Sequence, residues 1–241
     1  MSATLARILE TLEGFYGAQQ TPWPTDPYQQ LVWLHCGYPA SDERCSKGWQ
    51  VLRKVIGLQP SQILDASPQD LAKALTPGGM VPAVRARRLK EVATRVVDEC
   101  GGDLRAALAC PEAAARKLLK KFPGIADPGA DRILLFAGIS PTAAVPSNCP
   151  HVIVRIMRGR EREAYSVTYK EAQHEIHNLP ESVAARTRAF LLLKRHGQNL
   201  CKREKPKCER CPLSECCAFN LGQHRGRPWA TSKHNQSRSL Y

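Results

Sequence analysis

The stretch that most constrains this 241-residue chain is "CKREKPKCERCPLSECC", residues 201–217, which holds five of its ten cysteines. Cys201, Cys208, Cys211 and Cys217 follow the spacing C-x6-C-x2-C-x5-C, with Cys216 as a spare. Thiolates are soft ligands suited to zinc or iron–sulfur. Zinc modules usually show two short C-x2-C knuckles placed far apart. Here one such pair is flanked by single cysteines, which fits four thiolates wrapping a cubic [4Fe–4S] centre in one loop. Taking Cys216 instead of Cys217 would leave four residues between the last two ligands rather than five. Cys36, Cys45, Cys100, Cys110 and Cys149 stand singly among apolar neighbours, and most of them read as buried small hydrophobes.

Around that loop the pattern is helical throughout, with no convincing strand. Apolar residues recur at helical spacing over about 3–14, 27–36, 42–56, 61–74 with a break at Pro68, 81–100, 111–121, 128–137, 151–158, 168–178 and 182–196. Ser67-Pro68, Cys110-Pro111 and Asp127-Pro128 each read as a cap followed by proline at the first helical position. The expectation is an all-α fold. The end of the chain, from 218 to 241, reads as a flexible basic tail. No apolar run reaches the roughly 18 residues needed to cross a bilayer, and the N-terminus lacks the form of a signal or transit peptide. A cytoplasmic location, nucleoid-associated or nuclear according to the cell type, and a monomer follow as expectations.

The charge points to a partner. Thirty-five Lys and Arg against 22 Asp and Glu give a net charge of +13 and a pI near 9.5, a balance that favours a polyanion. Three basic stretches carry much of it. In "KKFPGIADPGADRILLFAGI" (120–139), Lys120 and Lys121 lead into a tight Pro123-Gly124 turn and a helix start, a geometry that presents backbone N–H groups to phosphate. In the cysteine loop, Lys202, Arg203, Lys205 and Lys207 outnumber Glu204. "VPAVRARRLK" adds Arg85, Arg87, Arg88 and Lys90, equally readable as a solvated helix face.

Taken together, "KRHGQNLC" through Cys217, the turn Phe122-Pro123-Gly124-Ile125-Ala126 and "SPTAAVPSN" (140–148) resemble the endonuclease III-like branch of the helix-hairpin-helix (HhH-GPD) DNA glycosylases. The cysteine spacing matches that branch without a gap, and the turn resembles its L-P-G-V-G hairpin. The resemblance runs from about residue 25 to 217. It implies two lobes: residues 22–135 as a six-helix bundle ending in the hairpin (about 116–137), and 1–21 with 136–217 as an iron–sulfur lobe. It further implies double-stranded DNA, damaged or distorted, lying across the cleft. Lys121, Gly124, Ala126 and the basic residues 202, 203, 205 and 207 would contact it. Relatives extrude a damaged base from the duplex and cut its glycosidic bond.

Against that pattern the departures are large. The family's Schiff-base lysine falls four residues after the hairpin's first glycine, at Pro128. Its aspartate, in V-D-[ST]-[NH], falls at Pro146, or at Pro150 if one counts back from Arg155. The hairpin's second glycine is Ala126, and the duplex-probing segment, "HCGYPASD" (35–42), lacks the family's glutamine. Proline offers neither amine nor carboxylate. Asp131, one turn beyond Pro128, is the candidate replacement acid, although an acid there also suits a helix's first turns. His151 is a further possible base, or a surface or capping residue. Three readings follow: a DNA-binding protein of the superfamily without the usual glycosylase or lyase chemistry, a monofunctional N-glycosylase using Asp131, and a cysteine-cluster interaction module with a non-DNA partner.

Overall fold

In a computed structural model, which describes residues 4–37 and 40–224, helices follow one another without a strand among the described residues. They are α1 (Leu5–Tyr16), α2 (Pro27–His35), α3 (Asp42–Val55), α4 (Pro60–Asp65), α5 (Pro68–Leu75), α6 (Pro82–Cys100), α7 (Leu104–Ala107), α8 (Glu112–Leu119), α9 (Asp127–Phe136), α10 (His151–Arg158), α11 (Tyr165–His177), α12 (Val183–Asn199) and α13 (Ala218–His224). The starts are set by side chains that accept orphan backbone N–H groups. Thr4, Asp26, Ser41, Ser67, Asp103 and Ser182 each cap a helix in this way.

Two expected starts differ by one residue. Asp127 is inside α9 and Ala126 is its cap, and Pro111 caps α8 where Cys110 was expected to. In both cases the residue before the helix lacks a capping hydrogen bond from its side chain. The expectation of a flexible basic tail from residue 218 does not hold for residues 218–224. Residues 218–224 form α13, and Phe219 is buried in the core beside Cys217 because Ala218 packs on the α10 end at Gly159. Residues 225–241 and the pair Tyr38-Pro39 of the "HCGYPASD" segment lie outside the described residues.

The apolar faces gather into separate centres. Leu31, Val92, Val96, Leu104, Leu119, Phe122, Ile125, Ile133 and Leu134 form one, and Val32, Leu52, Ile63, Leu71, Leu75 and Leu89 another, both within 31–134. A third joins α1 (Ile8, Leu9, Leu12) to α10–α13 and the cysteine loop. The first two make one lobe and the third makes the other. Between them sits an aromatic seam in which Trp23, Trp33, Phe136 and Phe190 pack at ring separations of 4.9–6.2 Å. Edge-to-face pairs at such distances contribute about 0.5–1.5 kcal/mol each beyond simple burial. Trp33 and Phe190 of this seam also line a cavity on one side of it.

Candidate nucleic-acid interface

The hairpin comes first. α8 and α9 are joined by a turn in which Phe122 and Ile125 point into the core while Gly124 and Ala126 are exposed. Gly124 has φ of +72°, a region that suits glycine, so the chain can reverse there without strain. Among the described residues neither Gly124 nor Ala126 donates its N–H to a backbone carbonyl. The turn therefore offers outward N–H groups at a helix N-terminus, as an anion site requires. Lys120 is 2.7 Å from Asp127 and offsets the one negative charge at the turn. Lys121 is exposed but is held toward Glu99, at 3.4 Å.

The cysteine loop forms the second part. Lys202, Arg203, Lys205 and Lys207 are all exposed. Their backbone is gripped from inside. Arg155, itself buried, donates to the carbonyls of Lys202 (2.9 Å) and Arg203 (3.0 Å), and His151 Nε2 lies 2.9 Å from the carbonyl of Cys201. His151 is thus an interior anchor rather than a surface residue, and burial pulls its imidazole down to about 4. Cys201 and Cys217 belong to the lobe's core, with Cys208, Cys211 and Cys216 packed against it. Burial raises the thiols, Cys201 to about 12 and Cys211 to about 11, and Cys217 adds to both through its own charge. No three metal-binding side chains among the described residues converge on a point that would hold a single ion. A polynuclear cluster makes a different demand, since each thiolate binds its own iron around a shared volume. Thiols gathered at one end of a core, where like charges on neighbouring sulfurs oppose deprotonation until a cationic group is bound, suit that demand.

Between the lobes lies a cavity of about 400 Å³. Its wall includes Gly124, Ala126 and Pro128 from the first lobe and Pro146, Ser147 and Asn148 from the second. Pro128 and Pro146, the two positions at which the resemblance leads one to expect a lysine and an aspartate, thus stand on one cavity. Pro150 is not on its wall; it caps α10. The expected acid is elsewhere. Asp131 is 1% exposed and does not line the cavity. Its carboxylate accepts from Arg116 Nε (2.7 Å), Tyr169 Oη (2.9 Å) and Gln173 Nε2 (2.9 Å). Burial pushes this carboxyl up while Arg116 and Tyr169 pull it back. It is a structural tie between α8, α9 and α11, with no open face for a substrate.

The third basic stretch divides. Arg85 is buried and donates to the carbonyls of Cys36, Leu75, Gly79 and Met80, and Lys90 Nζ reaches the Leu64 carbonyl at 2.8 Å. Arg88 faces the cavity, and Arg87 is exposed.

Other residues of the site are silent in the sequence. Lys194 and Asp42 both line the cavity, with Nζ 2.6 and 2.7 Å from the two carboxylate oxygens. Lys194 Nζ also stands 4.4 Å from the Trp23 ring centroid, and the Arg132 guanidinium is 4.7 Å from the same ring. Burial pulls the Lys194 ammonium below its usual range, opposed by Asp42 and reinforced by Arg132. Just before α6, Met80 and Val81 are 86% and 62% exposed, and Val81 has φ of +50°, a strained value for a β-branched residue. Strain of this kind is maintained by the Arg85 clamp on the carbonyls of Gly79 and Met80. Exposed apolar side chains on a rigid loop are of the type that wedges between base steps. The signals for these residues were faint: a lysine ending the apolar run 190–193, and two apolar residues after a Gly-Gly pair.

Comparison with known proteins agrees with the geometry. No family model matches the chain. It is 25% identical over 203 residues to Endonuclease III of Thermotoga maritima, spanning 84% of this chain and 87% of that protein. It is 23% identical over 211 residues to thymine-DNA glycosylase of Aeropyrum pernix, spanning 85% and 88%. Its fold superposes on a solved non-covalent Endonuclease III–DNA complex with a TM-score of 0.72 at 18% identity, covering 92% of this chain and 97% of that one.

Proposed function

We propose that the chain is a member of the helix-hairpin-helix DNA glycosylase superfamily that binds double-stranded DNA at damaged or distorted sites and takes an extrahelical nucleotide into the interlobe cavity. The observation that carries this reading is the single cavity bounded by the hairpin turn on one side and the Pro146 segment on the other. Its volume falls in the range of small-ligand sites, about 300–1,000 Å³. Two cationic stretches, the hairpin beside the cavity and the exposed residues Lys202, Arg203, Lys205 and Lys207 of the cysteine loop, supply charge for a phosphate backbone. Met80 and Val81 supply an apolar wedge to occupy the stack that a flipped nucleotide vacates.

The same reading assigns a [4Fe–4S] cluster to Cys201, Cys208, Cys211 and Cys217. When bound, such a cluster ties four points of one loop together and fixes the register of the charges between Cys201 and Cys208. Arg155 and His151 then hold the loop's carbonyls from below. Pro128 and Pro146 remove the Schiff-base amine and the supporting carboxylate from their usual places on the wall. Asp131 does not restore them, because its oxygens are committed to Arg116, Tyr169 and Gln173.

The test is a panel of duplexes carrying an abasic analogue, uracil, oxidised or alkylated bases, or no lesion, scored together for affinity and base release. Tighter binding to at least one distorted duplex than to intact DNA is expected. An extruded nucleotide would be reported by 2-aminopurine fluorescence at or opposite the site. Equal affinity for all duplexes, with no fluorescence change, overturns the reading.

A further inference from the structure

We propose that Lys194 is an amine nucleophile toward C1′ of a deoxyribose drawn into the cavity, with Asp42 as the carboxylate that holds it and takes its proton. The inference rests on the cavity being a nucleotide site, as argued above.

Three observations carry it. Among the described residues lining the cavity, Lys194 is the one primary amine and Asp42 the one carboxylate, and they are bonded to each other at 2.6 and 2.7 Å. The other cationic side chains among the described residues of the wall, Arg85, Arg88 and Arg132, are delocalised guanidinium groups and not amine nucleophiles. Lastly, the environment suits a reactive amine. Lys194 is desolvated over the Trp23 face with the Arg132 guanidinium on the same ring. Desolvation and a neighbouring cation are the two ways in which proteins bring a lysine toward its neutral form, and both act in the observed direction here. As a purely mechanical tie between lobes the pair is a poor choice, because apolar packing does the same without desolvating two charges. The aromatic seam already does so.

The chemistry balances. On a nucleotide that bears a base, the Nζ lone pair forms a bond to C1′ while the C1′–N bond breaks, its electron pair leaving with the base. One proton passes from Nζ through Asp42 to the departing base, so that a secondary ammonium at C1′ and a neutral free base result. Transfer of a second proton from nitrogen to the ring oxygen, with cleavage of the C1′–O bond, gives a protonated imine. On a pre-formed abasic aldehyde the same imine arises directly. Nζ adds to C1′, two protons move from nitrogen to the carbonyl oxygen, and water leaves.

Borohydride delivers hydride to that imine and leaves a stable amine, so the test is trapping on an abasic duplex followed by peptide mapping. An adduct on Lys194 of the wild-type chain is expected. Lys194→Arg keeps the charge and the bond to Asp42 yet cannot form an imine; it should lose the adduct while still binding a tetrahydrofuran-abasic duplex. Asp42→Ala should slow trapping, added formate should restore it, and the adduct should stay on Lys194. A role confined to holding the lobes would not respond to formate. An adduct mapped to another lysine, or no adduct from wild-type protein that binds the abasic duplex tightly, overturns the proposal and leaves the DNA-binding reading intact. Failure to bind any abasic duplex overturns both.

Discussion

Arg116 on α8 places its Nε 2.7 Å from Oδ1 of Asp131 on α9, and Asp131 in turn accepts from Tyr169 and Gln173 of α11. The hairpin helices are thereby tied to the second lobe through one buried carboxylate. Removing it leaves a guanidinium and two other donors without their acceptor. Breaking a buried pair from one side costs about 3–5 kcal/mol, and because Arg116 is about one-third exposed the lower end applies here. Asp131→Ala should therefore lower the urea midpoint by about 3 kcal/mol of stability, and lesion-duplex affinity should survive at temperatures where the variant is folded. A stable Asp131→Ala protein that has lost base release would make the residue catalytic after all.

The cysteine loop yields a second expectation. Anaerobically purified protein should carry about four irons and four inorganic sulfides per chain, as a cubane does. Serine at Cys201, Cys208, Cys211 or Cys217 should abolish the cluster. Serine at Cys216 should keep it, since that thiol donates to the Leu213 carbonyl at 3.5 Å. Stoichiometric zinc without sulfide, or Cys216→Ser proving the destructive change, would refute the ligand assignment.

Affinity for DNA should fall steeply with salt, because every neutralised phosphate releases counterions. Lys205 and Lys207 are exposed on a loop whose backbone is anchored at Lys202, Arg203 and, through the Lys207 N–H, at Leu200. Replacing both with alanine should flatten the log–log salt slope by about one to two units, at about 0.9 per phosphate contact. The slope measured by fluorescence anisotropy decides this; no change would take the loop out of the interface.

How much of this was legible in the sequence differs from element to element. Helices such as α10, read at 151–158 and found there, were plain because apolar spacing and capping act locally. The hairpin turn and the cysteine loop were legible because glycine, proline and thiol spacings carry their own geometry. Lys194 and Asp42 were not, for they lie 152 residues apart and meet only when the lobes close. An acid after Ser41 looks like any first-turn helix acid, and a lysine after Leu193 looks like the edge of an apolar face. Asp131 misled for the converse reason. Its helix position was read rightly, but the side chain points away from the cavity into partners contributed by α8 and α11.

Stability should also depend on pH through His35, which lines the cavity and is 6% exposed. Burial pulls its imidazole down to about 4, with Arg88 and Arg85 adding to the effect and a backbone hydrogen bond to Pro123 opposing it. In the unfolded chain the group titrates near 6.5. Between those values the unfolded state binds a proton that the folded state refuses. Stability is therefore full above about 6.5 and is lost as pH falls toward about 4, by up to about 3 kcal/mol at 1.4 kcal/mol per pH unit. Urea titrations of wild type and His35→Gln at several pH values should show a shallower acid dependence in the variant. His151 and His196, which are also pulled down to about 4, remain in both proteins and cancel from the difference.

The prolines on the cavity wall give the last expectation. Pro128 is in the first turn of α9, where a proline costs the helix nothing because that N–H has no partner within it. Pro128→Lys should accordingly be tolerated, at about 0.3–1 kcal/mol for a cation near a helix N-terminus. It would place an amine on the same wall that Lys194 approaches from the other lobe. In wild-type protein no borohydride-trapped adduct can form at position 128, since the proline nitrogen is locked in the peptide bond. In a Lys194→Arg background, Pro128→Lys should restore trapping on an abasic duplex, with the adduct mapped to position 128. An imine formed there needs no general acid beyond water, because the abasic sugar is already an aldehyde. Base release from an intact nucleotide should stay absent, as Pro146 still supplies no carboxylate to support a cationic sugar. If the double variant binds the abasic duplex but traps nothing, the hairpin wall does not face C1′, and the extruded sugar must sit nearer the Arg132 side of the cavity.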